Sequence, residues 1–167
     1  YPEGKRFPSA KALLDFAHSL GLGTRTEMQI VASTCGLLQK ENNFIRLSDQ
    51  AQIILRLKTE VHPDLIHFLL YTGWKSENPH SNTMLWSYHE ITDVLWEKVQ
   101  TGVVSAANVI VEEIRNRIYQ VFNYDASFSP KSIRGVRKWL EALNPPVIEN
   151  DIFSRRYFCP PELTLMA

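Results

Sequence analysis

Apolar positions fall at helical spacing through most of the chain, and two short runs interrupt that period with β-prone residues. Ser9 can cap a helix from Ala10 to about Leu20, with Leu13, Leu14, Ala17 and Leu20 on one side and Gly21-Leu22-Gly23 as its stop. A second helix is expected from Thr26 to about Cys35, with Met28, Val31 and Cys35 inward and Thr26, Gln29 and Ser33 outward. Leu37 to Lys40, the polar turn Glu41-Asn42-Asn43 and Phe44 to Leu47 read as a β-hairpin. Ser48 can then cap a helix from Asp49 to about Lys58, whose Ile53, Ile54, Leu55 and Leu57 supply apolar surface.

The pattern continues with an apolar stretch, Asp64 to Trp74, begun by Pro63, then a polar loop from Lys75 to Asn82, then Thr83 to Gln100 as one helix or two. Ser105 can cap a long helix to about Phe122, with Ala107, Ile110, Val111, Ile114, Ile118 and Val121 on a stripe and Glu113 and Arg117 spaced for an ion pair. After a polar turn comes a helix whose two ends are both written out: Ser129 as cap, Pro130 at the first position, and Asn144-Pro145-Pro146 beyond the last turn. At about 100° per residue, its Ile133, Val136, Leu140 and Leu143 share one face. Lys131, Arg134 and Lys138 take the opposite face, with Arg137 at the flank. Pro146 to Asp151 and Ile152 to Phe158 form a second pair of β-prone runs around a polar turn.

The order helix, turn, helix, hairpin therefore occurs twice, although the two halves do not align as a sequence repeat. The fold class expected is mainly α with small β-hairpin wings: tandem winged-helix-like (helix-turn-helix) units, 1–60 and 105–167, joined by an aromatic helical middle, 61–104. That middle carries Phe68, Tyr71, Trp74, Trp86, Tyr88 and Trp96 in helical text, which favours packed core over a platform for unpaired bases.

Composition narrows the partners. The chain has 167 residues, 44% of them hydrophobic, with 18 basic and 18 acidic side chains. A neutral total excludes general attraction to polyanions, so any nucleic-acid site must be local. From Lys131 to Phe158 six basic residues (Lys131, Arg134, Arg137, Lys138, Arg155, Arg156) face three acidic ones (Glu141, Glu149, Asp151). No run approaches the roughly 18 apolar residues of a membrane span, and we expect a soluble, cytoplasmic protein. Tyr1 rather than a methionine begins the sequence, so a longer natural chain is expected. Cys35 and Cys159, far apart and without a CxxC neighbour, fit reduced thiols.

Motifs for catalysis are not evident. His62 and His67 are five apart, which does not bring both to one helix face; no HExxH, GxxxxGK[ST], GxGxxG or GxSxG occurs, and His89-Glu90 is a lone adjacent pair whose side chains diverge. No metal and no cofactor is called for, and no catalytic residue is assigned.

"LGLGTRTEMQIVASTCGLL" followed by "NNFIRLSDQAQIILRL" resembles prokaryotic winged-helix sequences. Together with "HPDLIHFLLYTGW", "TMLWSYHEI" and "FSPKSIRGVRKWLEAL", the chain resembles a poorly characterised prokaryotic domain-of-unknown-function family encoded near DNA phosphorothioation and phage-defence genes. The resemblance implies a DNA-associated regulatory or accessory role in a defence or mobile-element system, and supplies no catalytic residues. In that role a helix enters the major groove while wing and helix ends touch phosphates. The candidate contacts are Lys131, Ser132, Arg134, Arg137, Lys138, Arg155 and Arg156 in the second unit. In the first they are Arg25, Thr26, Gln29 and Ser33 with Lys40 and Arg46 on the wing. Duplex DNA is the expected partner. A scaffold that docks a larger enzyme through its winged-helix and aromatic surfaces is the rival, and an enzyme with a dispersed site is a third.

Overall fold

The computed structural model describes residues 5–20, 26–74, 82–97, 107–123 and 128–154, the side chains of 26 and 27 excepted. The described residues are mainly helical, with two small antiparallel hairpins, in two compact units, Tyr1–His62 and Pro63–Ala167. The aromatic middle thus belongs to the same unit as the second helix–helix–hairpin segment.

In the first unit α1 (Ala10–Ser19) begins where Ser9 Oγ accepts from Ala12 N–H, 3.1 Å. It is followed by α2 (Thr26–Thr34), and Gly36, at φ +69°, turns the chain into β1 (Leu38–Glu41). β2 (Phe44–Leu47) pairs back in the register Leu38↔Leu47 to Glu41↔Phe44. The two loop residues, Asn42 and Asn43, have φ of 48° and 65°. A two-residue hairpin matching the strand twist needs that left-handed pair, and Asn tolerates it better than most residues. Phe7 extends the hairpin by bridging Ile45 through two backbone hydrogen bonds of 2.8 and 2.7 Å. Ser48, fully buried, caps α3 (Asp49–Arg56) by accepting from Ala51 N–H at 3.0 Å.

Among the described residues of this unit, Cys35, Ala51 and Ile54 are the buried apolar ones. Two expectations fail here. Met28, read as inward, is 56% exposed, as Ile30 beside it is 50% exposed. The inward contacts of this nine-residue helix fall toward its end, where Cys35 is buried and the chain enters β1. Ile53 and Leu55 are exposed, since three consecutive residues on a helix spread over about 200° and only Ile54 can point inward.

The second unit holds α4 (His62–Thr72), α5 (Thr83–Glu97), α6 (Ala107–Phe122), α7 (Pro130–Glu141) and the hairpin β3 (Ile148–Glu149)/β4 (Ile152–Phe153). The described part of 83–100 is one helix, capped by Asn82, whose Oδ1 accepts from Met84 and Leu85 N–H at 3.1 Å each. Leu85, Trp86, Ile91, Val94 and Leu95 of α5 meet Ile110, Ile114 and Ile118 of α6 in a core completed by Ile133, Val136 and Leu140 of α7. Val121, expected on the α6 stripe, lies exposed in its last turn. The hairpin repeats the device of the first: Asn150 and Asp151 have φ of 50° and 60°. Trp96 meets Phe153 edge-on, with centroids 6.0 Å apart, so β4 is held against α5.

A tie far apart in sequence seats α7. Asp64, 2% exposed in the first turn of α4, accepts from Asn144 N–H at 3.2 Å, and Trp139 Nε1 donates to Pro63 O at 3.4 Å. Asp64→Ala is expected to lower unfolding free energy by about 1–3 kcal/mol, because it removes the charged acceptor of the Asn144 N–H. Asp64→Asn, which keeps an acceptor, should cost less. Urea denaturation of the three proteins checks this; an unchanged midpoint for Asp64→Ala would remove the tie from the account.

Candidate nucleic-acid interface

α7 carries the face singled out by its spacing. Ser129 Oγ accepts from Lys131 N–H at 3.2 Å and Pro130 occupies the first turn, where its missing N–H costs nothing. Ile133, Val136, Leu140 and, just past the helix, Leu143 are all buried, which fixes the rotation of the helix about its axis. Lys131, Ser132, Arg134 and Lys138 are consequently exposed, and the three cations make no ion pair with any described residue. Glu141 is the acidic residue on α7 itself, also exposed.

Arg137 has a different position. Its guanidinium is paired with the Asp151 carboxylate at the tip of the hairpin and its side chain is only 19% exposed. It fastens the wing-like hairpin to the helix rather than presenting a free charge. Arg155 and Arg156 lie outside the described residues.

The first unit is less charged at the corresponding place. Gln29 Nε2 donates to Ser33 Oγ at 3.3 Å, so these two side chains satisfy each other on α2. Lys40 is exposed on β1. Arg46, by contrast, is held by carboxylates: its Nε lies 2.7 Å from Glu41 Oε2 and Nη1 lies 3.5 Å from Asp49 Oδ1. Arg25 lies outside the described residues, as does the side chain of Thr26. Of the candidates in both units, the structure gathers Lys131, Ser132, Arg134 and Lys138 into one open face.

Gly135 sits in the middle of that face, and a Cβ built on it would meet no atom within 4 Å. Glycine inside a helix costs about 1 kcal/mol relative to alanine, and among the described residues no close packing calls for it.

The Glu113–Arg117 pair expected from its spacing forms, within a larger polar cluster of this unit that the sequence did not indicate. Arg117 of α6 reaches Glu90 (3.1 Å) and Glu97 (2.6 Å) of α5 as well as Glu113 (3.3 Å) of its own helix. His89 Nδ1 lies 3.8 Å from Glu90 and 3.5 Å from Asp93. Its ring stacks on Tyr71 at 4.5 Å, and the Tyr71 hydroxyl donates to Asp93 at 2.8 Å. His89 and Glu90, expected to diverge, therefore approach each other directly, and Glu90 also takes Arg117. The i,i+4 spacing of His89 and Asp93 was the available signal; the partners across α4 and α6 had none. Among the described residues no group of three or more His, Cys, Asp or Glu is arranged to hold a metal ion. Burial pushes the Cys35 thiol up to about 11, far from the thiolate needed for nucleophilic chemistry at neutral pH.

The cluster braces α4, α5 and α6. Burial alone would raise the Glu90 carboxyl, but His89 and the Arg117 guanidinium outweigh it and hold the pKa below its ordinary 4.5. Tyr71 is pushed up to about 12 by burial and by its bond to Asp93.

No protein-family model, curated protein or solved structure matches the chain. Among the described residues, no helix is long and apolar enough to cross a membrane.

A folded-state pKa below the unfolded one makes Glu90 stabilising above the ordinary carboxylate range, and that contribution is lost as pH falls through the lowered value. Thermal melts from neutral to acid pH should show Glu90→Gln less stable than the parent at pH 7, with a shallower decline on the acid side. Parallel curves for the two proteins would contradict the pairing.

Proposed function

We propose that this chain is a duplex-DNA-binding module, a regulatory or accessory protein of a prokaryotic defence or mobile-element system, in which α7 is the recognition helix of a winged-helix-like unit. The observation that carries the reading is the open face of α7: three exposed cations, without an ion pair among the described residues, opposite four buried apolar residues on a helix that a hairpin follows. Such a helix can lie in a major groove with the hairpin beside it against the backbone. The Arg137–Asp151 pair supports the same reading by fixing the angle between helix and wing. The order α1, α2, β1–β2, with Phe7 as a bridging strand segment, supports a winged-helix-like first unit. Its α2 carries no cation and exposes Met28 and Ile30, which suits a structural or protein-contact module better than a phosphate-binding one. The defence or mobile-element setting rests on the resemblance of sequence segments.

The scaffold reading retains a specific observation in its favour. Met28 and Ile30 on α2 are exposed apolar side chains in a chain of zero net charge. On that reading the first unit docks a protein partner while α7 still contacts DNA, so the two functions divide between the units.

Fluorescence anisotropy with a labelled generic duplex at two salt concentrations tests the proposal. Binding should weaken steeply with salt, as counterion release requires. Arg134→Glu and Lys138→Glu should each weaken it about tenfold or more and flatten the salt slope by roughly one contact. Arg137→Ala should lower thermal stability more than it lowers affinity. No binding at low salt, or charge reversals without effect, would overturn the proposal.

A further inference from the structure

We infer that Gly135 is the point at which the sugar–phosphate backbone of duplex DNA lies against α7, held there by Lys131, Arg134 and Lys138. This rests on the reading of α7 as a DNA-contacting helix and adds the mode of contact. Three observations lead to it.

Gly135 is not explained by conformation: it lies inside a regular helix without the positive φ that Gly36 has. Nor is it explained by packing, since a Cβ there would enter open space. Glycine is the poorest helix former after proline, and among the described residues nothing occupies the space beside it, which leaves room for a bound molecule. The surroundings state its chemistry. Lys131 is one turn before Gly135, Lys138 one turn after, and Arg134 adjacent to it, all three exposed. Cations around a bare patch of helix backbone suit an anionic, bulky and extended ligand. A phosphodiester strand fits: it can approach the Gly135 Cα to van der Waals contact while the long side chains fold over its oxygens.

A methyl group at this position would displace the strand by about the length of a carbon–carbon bond, roughly 1.5 Å, which stretches every charge-assisted hydrogen bond made around it. Lysine ammonium groups are point charges suited to phosphate, and the planar Arg134 guanidinium can take a phosphate group with two parallel hydrogen bonds. Contact at the centre of α7 is therefore with backbone, and its loss should not depend on sequence.

The test compares the parent chain, Gly135→Ala and Gly135→Lys on two duplexes of unrelated sequence, with thermal melts of each protein. Gly135→Ala should melt at a higher temperature yet bind both duplexes more weakly, by about tenfold, as expected for loss of a charge-assisted contact. Gly135→Lys should fail to tighten binding although it adds a fourth cation. Alanine binding as tightly as glycine, lysine binding more tightly, a loss on one duplex only, or a lower melting temperature for Gly135→Ala would each overturn the inference while leaving α7 as a DNA-contacting helix. A parent chain that binds neither duplex overturns that reading and the inference with it.

Discussion

The rotation of α7 about its own axis is the constraint on which the rest of this structure's functional surface depends. Ile133, Val136, Leu140 and Leu143 must leave water together, and at 3.6 residues per turn only one orientation allows it. Each fully buried aliphatic side chain contributes about 1.5–3 kcal/mol, well above what an exposed ion pair supplies. Burial of the apolar face therefore decides, and exposure of Lys131, Arg134 and Lys138 follows from it. Nothing in the charges themselves is needed to place them on the surface.

Polar ties then hold that helix in its frame. Asp64 meets Asn144 across 80 positions of chain, and Arg137 meets Asp151 at the hairpin tip. Asp151 serves twice, since its left-handed backbone closes the two-residue loop and its carboxylate holds the loop to α7. Arg117, surrounded by Glu90, Glu97 and Glu113, braces α5 against α6 behind the same core. A cation so placed is structural, in contrast to the three on the open face of α7.

What was legible in the sequence was what local rules determine. Ser9, Ser48 and Ser129 cap the helices they precede, both hairpins turn on an Asn-led pair, and the two faces of α7 fall as their spacing predicts. Asn82, the last residue of the polar loop, follows the same local rule and caps α5. The misreadings came where the outcome depends on what arrives from elsewhere in the chain. Met28 has helical spacing with Val31 but is exposed among the described residues, and the carboxylates that meet Arg46 and Arg137 come from outside the windows in which those two were picked out as candidate contacts. The convergence of Tyr71, His89, Asp93 and Arg117 needs three helices to be in place, so no window of sequence contains it.

The two units differ in the same physical terms. Among the described residues, the first has few buried side chains and an α2 without a cation, whereas the second has a continuous core and gathers on one helix three cations that make no ion pair. The claim that this asymmetry is functional can be read residue by residue. Amide chemical shifts of the isotopically labelled chain, followed during titration with a short generic duplex at low salt, would report the contact surface directly. The account predicts that perturbations concentrate on residues 131–138 and on the hairpin tip at Asn150 and Asp151, and fade as salt is added. Perturbations confined to α2 and α3, or none at all, would contradict it.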